Sequence, residues 1–330
     1  MKAVLVSQPG GPEALELADL PVPVPGEGQV QIRAEAFGVG TPDVLIRRGV
    51  YKWMPPLPAN PGNDLAGRIS ALGAGVSGFS VGDRVLLSAR DLPQRGGCYA
   101  EVVVAPAGAV HRLAPHVLPQ EAVCLSNYQV AQALLQECVH PRSPRSVLVV
   151  GAAGGVGTAL VQLARRAGMT VIGTVSSEEK AAFARANGMD HAVFYRTEDV
   201  VRRVLELTGG AGVGAAFDHA GGPGFVPLVA ALGRWGTLVS YNGFAPLPEQ
   251  NLVAALREHM AVCPSVRSFS FHLYDHDATA RRALMGEVIR ALSHGEIRPA
   301  ISATLPLAEV RRAHELLERG SALGKIVMTP

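Results

Sequence analysis

The sequence predicts an α/β protein of two domains, a doubly wound parallel sheet and an antiparallel, barrel-like unit. Three observations predict it. Residues 1 to about 122 carry short alternating runs bounded by Pro and Gly. From about residue 124, buried apolar runs alternate with segments of helical spacing, the pattern of a parallel sheet with crossover helices. Between one such run and the helix after it lies a glycine-rich loop, Gly151-Ala152-Ala153-Gly154-Gly155-Val156-Gly157.

In the first part, Gln29-Val30-Gln31-Ile32-Arg33-Ala34 and Ala100-Glu101-Val102-Val103-Val104 alternate with period two and predict strands. Prolines 21, 23 and 25 and the segment Ser80-Val81-Gly82-Asp83-Arg84-Val85 supply breakers and a turn. In the second part, Ser146–Val150 reads as a buried strand. Val156 to Ala167 reads as a helix with Leu160, Leu163, Ala164 and Ala167 on one face. Thr170–Val175 is the next strand. Ser176 with Glu179 has capping-box spacing and opens a helix through Ala186. Further strands are predicted at His191–Phe194, Gly214–Asp218 and Gly236–Tyr241. From about 278 the pattern is two amphipathic helices and a final strand, Lys325–Met328, assigned back to the first domain. The expected boundaries are 1–123, 124–277 and 278–330.

A chain of 330 residues with 48% hydrophobic residues can fill two cores. A net charge of +2 with 18% charged residues gives no reason to expect a nucleic-acid footprint or an anionic-membrane surface. No run of 18 apolar residues and no signal peptide is present, so a soluble cytoplasmic protein is expected. Cys98, Cys124, Cys138 and Cys263 show no ligand spacing and read as reduced, mostly buried thiols.

The glycine loop follows a strand and opens a helix, the setting in which such a loop binds a dinucleotide pyrophosphate. Ala153, Gly154, Gly155 and Val156 are the candidate contacts. A methyltransferase-type nucleotide site is the competing reading. An NAD site wants a carboxylate at the end of the second strand. Here that strand ends Gly173-Thr174-Val175-Ser176-Ser177, with Val175 at the tip. Ser176, Ser177 and Lys180 offer hydroxyl and cationic donors for a 2′-phosphate, which points to NADP.

Val147 to Tyr195, with its Val-Leu-Val-Val-Gly-Ala-Ala-Gly-Gly-Val-Gly run, Gly173–Lys180 and Tyr195-Arg196, resembles the quinone oxidoreductase branch of the medium-chain dehydrogenase/reductase superfamily. Gly38-Val39 with Asp43, Arg47–Tyr51, Pro61–Gly67, Val81–Val85 and Gly324–Val327 recur there in similar form. The resemblance covers nearly the whole chain. It implies a GroES-like barrel domain built from both termini, a Rossmann domain between, and NADP in the cleft. It also implies that Lys180 and Tyr195 line the 2′-phosphate with Ser176 nearby, and that Gly173 lies under the adenosine ribose. Tyr51 and the strand end Ser240-Tyr241-Asn242-Gly243 are implied to face the nicotinamide. Members often dimerise through Rossmann edge strands, here about Val266 to Leu273.

Zinc members of the superfamily supply a Cys where this chain has Gly40 and a His where it has Asn63, and only Asp64 remains of the acidic position. No metal is expected. Carbonyl polarisation then falls to hydrogen-bond donors, with Tyr51 as first candidate and Asn63 as a residue that orients substrate or cofactor amide. Asp43 is expected to pair with an arginine such as Arg47. Gly40 stands where many zinc-free members carry Asn. Val130 and Gln132 replace a Thr and an aromatic, and Thr41-Pro42 is unusual. These departures leave the electrophilic substrate open: a quinone or enone, an enoyl thioester or biosynthetic intermediate, or none in an NADPH-binding protein without turnover.

Overall fold

The computed structural model describes residues 1–241 and 246–330. Asn242 and Gly243 therefore lie outside the described residues. The chain divides into two compact units, Met1–Ser126 with Met285–Pro330, and Asn127–Leu284.

In the first unit, β1 (Lys2–Leu5) pairs antiparallel with β2 (Glu16–Asp19). The long strand β3 (Gln29–Val39) follows, and its alternation buries Val30, Ile32 and Ala34 on one face. After α1 (Thr41–Arg47) come β4 (Asp64–Leu72), β5 (Arg84–Ser88), β6 (Val102–Pro106) and β7 (Val110–Arg112). The predicted turn between β4 and β5 forms: Asp83 Oδ2 accepts from the Ser80 N–H at 2.9 Å, and Gly82 takes φ 95°. The short helix α2 (Pro119–Ala122) and the fourteen-residue α3 (Leu125–Cys138) lead onward.

The second unit winds β8 (Ser146–Val149), α4 (Gly155–Arg166), β9 (Thr170–Val175), α5 (Glu178–Ala186), β10 (His191–Phe194), α6 (Val200–Leu207), β11 (Val213–Asp218), β12 (Leu232–Tyr241), α7 (Leu252–Glu258) and β13 (Ser265–Phe269). Its sheet runs β10-β9-β8-β11-β12-β13, parallel throughout. Every residue of β8 and β11 is buried, as expected of strands covered on both faces. The order reverses beside β8, so the strand that feeds the glycine loop lies at the topological switch point. Leu160, Leu163 and Ala164 of α4 are buried as predicted. Ala167 is not; it is the exposed C-cap where the helix turns away.

The chain returns to the first unit through α8 (Ala278–Ser293), β14 (Ile301–Pro306), α9 (Val310–Glu318) and β15 (Lys325–Thr329). β15 pairs antiparallel with the end of β3, while β6 pairs with its beginning. The sheet order is β14-β15-β3-β4-β5-β7. The sequence pattern did not signal β14, of whose six side chains only that of Leu305 is buried.

Two predicted features shift. The edge strand was expected over Val266 to Leu273, but β13 ends at Phe269. There Ser270 Oγ accepts from the His272 N–H, and Phe271–His276 winds into a 3₁₀ turn. The cap of α5 is Ser177, not Ser176: Ser177 Oγ accepts from the Lys180 N–H at 3.3 Å. α5 opens at Glu178, which puts Ser176 one residue before the cap, and the capping box with Glu179 does not form.

Candidate functional site

In the second unit, the loop after β8 is a tight turn locked from below. The Gly151 N–H donates to Thr174 Oγ1 and the Ala152 N–H to the Thr174 carbonyl, at 3.1 and 3.2 Å. Gly151 takes φ 70°, and a Cβ at Gly157 would lie 2.2 Å from the Gly151 carbonyl oxygen. Thr174 and Gly157 thus shape the turn from within. Gly173 lies beneath it, where a Cβ would strike Ala152 and Met189 at 2.6 and 2.4 Å.

Above, the loop is open. Gly154 is the N-cap of α4 and, having no side chain, caps nothing. The N–H groups of Gly155, Val156 and Gly157 have no acceptor within the helix, because its first carbonyl partner, Gly154, serves Thr158. Gly154, Gly155 and Val156 are partly exposed, and a Cβ on Gly154 would meet only the Gly151 oxygen, at 3.5 Å. Three N–H groups and the positive end of a twelve-residue helix fit a pyrophosphate. Ala153 is buried beside them.

The tips of β9 and β10 stand side by side. Val175 pairs with Phe194, so Ser176 and Tyr195 follow each other off adjacent strand ends. Tyr195 is exposed, with the Arg196 guanidinium 6.0 Å from its ring centroid. Lys180 sits half-buried in the first turn of α5. The tip residue itself, Val175, is buried and apolar. Ser176 and Tyr195 thus leave adjacent strand ends and Lys180 follows in the first turn of α5, with no carboxylate at the tip of β9.

Tyr241 closes β12 and is buried, which pushes its phenol upward from the ordinary value. Its ring lies 6.2 Å from that of His219. His219, which sequence reasoning missed, places Nδ1 3.1 Å from the Val150 carbonyl and packs over Gly151. Asn242, the other residue expected at this strand end, lies outside the described residues.

In the first unit, Tyr51 lies partly buried after α1, its ring 5.7 Å from that of Trp53. Asn63 is buried and donates from Nδ2 to Asp43 Oδ1 at 2.5 Å. Asp43 does not pair with Arg47. Its carboxylate also accepts from the N–H groups of Gly40 (2.8 Å) and Gly62 (3.1 Å) and from the Tyr99 hydroxyl (3.1 Å). Arg47, one turn further along α1, points to Glu318 of α9 instead. Burial raises the Asp43 carboxyl to about 6, although the Asn63 hydrogen bond and Lys325 oppose it.

Asp64 forms a buried pair with the Lys325 ammonium at 3.4 Å and accepts from Ser126 Oγ at 2.7 Å. A Cβ on Gly40 would stand 3.6 Å from Lys325 Nζ. Where zinc members place a thiolate and an imidazole, this chain thus has a glycine against a lysine and an amide bonded to a carboxylate. Among the described residues, no cluster of three or more His, Cys, Asp or Glu side chains is arranged to hold a metal ion. Nor is any helix among them long and apolar enough to cross a membrane. The four cysteines are free, and Cys263 alone of them is exposed.

Residues 155–284 match the family described as zinc-binding dehydrogenase, and residues 26–115 match the alcohol dehydrogenase GroES-like domain. The chain is 33% identical over 325 residues to a quinone oxidoreductase of Pseudomonas aeruginosa, covering 97% of each protein. A mycobacterial protein solved as a complex with NADPH superposes with a TM-score of 0.86 at 33% identity, over 100% of both chains. The quinone oxidoreductase of Escherichia coli, also complexed with NADPH, gives a TM-score of 0.86 at 28% identity over 100% of both chains. Fold and motifs together make this a medium-chain dehydrogenase/reductase. Within that superfamily, the chain belongs to the quinone oxidoreductase branch.

Proposed function

We propose that this protein is an NADPH-dependent oxidoreductase that reduces quinones or α,β-unsaturated carbonyls without zinc. The observation that carries the reading is the strand-end cluster of Ser176, Lys180 and Tyr195, with Val175 in place of a carboxylate. Such a cluster suits a 2′-phosphate and lacks the carboxylate that accepts from a free ribose 2′-hydroxyl.

NADPH, when bound, supplies the hydride. The chain's own residues do the rest. Gly155, Val156 and Gly157 donate N–H groups to the pyrophosphate, with Ala153 and Gly154 leaving room for it. Gly173 and Thr174 support the adenosine ribose side through the turn. Tyr241 and Asn242 are assigned to the nicotinamide end. Tyr51 donates to the substrate oxygen as negative charge develops there, and Asn63 orients the substrate or the nicotinamide amide. An electrophilic substrate suits a site with Gly40 and Asn63 at the zinc-ligand positions, because conjugation already lowers the barrier to hydride addition. The reading includes a cytoplasmic location and a homodimer formed through the outer edge of β13, supported by the exposed side chains along that strand.

The test is NADPH binding by fluorescence, followed by NADPH consumption with quinones, enones and enoyl thioesters. Lys180→Ala is expected to weaken NADPH at least tenfold and leave NADH unchanged, about 1.4 kcal/mol of lost phosphate contact. Equal effects on both cofactors would remove the basis for NADPH. Turnover of thioesters alone would move the substrate class to enoyl reduction, and tight binding without turnover would remove catalysis.

A further inference from the structure

We infer that Asp43 is the positioning residue for Asn63: its buried carboxylate fixes the plane of the Asn63 amide that meets substrate or nicotinamide. The inference rests on the role proposed above for Asn63.

A helix cap needs one carboxylate oxygen and one N–H. Asp43 does more. Oδ2 takes the Gly40 N–H and the Tyr99 hydroxyl, while Oδ1 takes the Gly62 N–H and the Asn63 amide. Four donors from three separate chain segments converge on one fully buried carboxylate. A buried carboxylate without an arginine is expensive, and four hydrogen bonds are what make it tolerable. The shortest of them, 2.5 Å, goes to Asn63. The backbone of Asn63 is held as well, its carbonyl accepting from the Ala89 N–H at 2.7 Å. An amide carries two donor hydrogens and an acceptor oxygen in one plane. Anchoring one hydrogen therefore sets the direction of the other two groups.

The anchoring depends on charge. A protonated Asp43 carries a hydrogen on one oxygen, and four donors cannot all remain on it. The groups facing it are Tyr99 and Cys98, Lys325 of β15 and Asp64 of β4. Burial holds the Tyr99 and Cys98 protons on far above the physiological range, so neither changes charge there. Asp43 itself, raised to about 6 by burial, does.

Selective ¹⁵N labelling of asparagine, with Asn63→Ala to assign the signal, reads the coupling without turnover. The Asn63 side-chain amide resonance is expected to titrate with a midpoint near pH 6 in the wild type and not in Asp43→Asn. A resonance flat from pH 5 to 8 overturns the inference, including where Asp43→Asn fails to fold. In turnover, Asp43→Asn and Asn63→Ala are each expected to lower kcat about tenfold. The double variant is expected to lose no more than either single one. A further tenfold loss on adding Asp43→Asn to Asn63→Ala overturns it. If the wild type consumes no NADPH with any electrophile, the proposed function fails, and the amide titration still decides the coupling.

Discussion

Arg47 and Glu318 stand 271 residues apart and share two hydrogen bonds, of 2.9 and 3.0 Å. The Arg47 guanidinium is buried, and its Nε donates to the Gly10 carbonyl at 3.1 Å. Arg48 pairs with the same carboxylate from the exposed side. One pair thus ties the start of the chain and α1 to α9 within the first unit.

Glu318→Gln leaves that guanidinium buried without its counter-charge. The expected cost is about 2–4 kcal/mol, read as a lower urea midpoint. The Arg47 hydrogen bond holds the Glu318 carboxyl below its usual 4.5. A depressed carboxylate stabilises above the unfolded pKa, and that contribution disappears as pH falls through the folded one. The variant is therefore expected to lose less stability than the wild type on acidification below about pH 4.5.

His314 behaves in the opposite chemical sense with the same direction in pH. It is fully buried, edge-on to Tyr99 at 6.1 Å, and among the described residues neither ring nitrogen has a partner. Burial lowers it to about 3, with the Arg47 charge adding to the effect. Between 6.5 and 3 the unfolded chain binds a proton that the folded one refuses. Stability falls in that window by up to about 1.4 kcal/mol per pH unit. His314→Leu is expected to raise stability by about 1–3 kcal/mol at pH 7. Its stability should decline less than that of the wild type between pH 6.5 and 4.5. An unchanged acid response would mean that His314 is charged in the folded protein.

Two glycines of the loop after β8 separate shape from binding. Gly157→Ala forces a Cβ against the Gly151 carbonyl and is expected to cost stability outright, with a lower melting temperature. Gly154→Ala meets nothing closer than 3.5 Å. Its melting temperature should hold while NADPH affinity drops at least tenfold, because the methyl occupies the approach of the pyrophosphate.

The neighbouring serines divide in the same way. Ser177→Ala removes the cap of α5 and is expected to cost about 1 kcal/mol. Ser176→Ala should leave the unfolding midpoint in place and weaken NADPH but not NADH. Chemical denaturation and fluorescence titration on the same two variants check both statements.

The parallel sheet was legible because strands covered on both faces are apolar along their whole length, and the glycine loop because only glycine tolerates the approach at 157 and the φ at 151. The cap of α5 was misplaced by one residue because both candidates are serines, and only the start of the helix at Glu178 chooses between them. Arg47 was matched to Asp43 because i, i+4 spacing was the visible clue. Its true partner lies in α9, and no local pattern announces a pairing across that span. Tyr99 and His314 were missed for a related reason. Their surroundings are assembled from α1, α9 and the segment before β4, so neither periodicity nor spacing marks them. The 3₁₀ turn at Phe271–His276 broke an apolar run that reads equally well as a strand.

The pairing of β15 with β3 has a consequence for synthesis. The second unit is contiguous, so all its strands leave the ribosome together and can close as they emerge. The first unit must keep the last three residues of β3 unpaired along one edge until β15 arrives. At roughly 5–20 residues per second, that interval is roughly 15 seconds to a minute. During it, the residues of β3 that later meet β15, Phe37 to Val39, are a backbone edge awaiting its partner. Chaperone dependence of newly made chains should therefore concentrate on the amino-terminal segment rather than on the part that binds the cofactor.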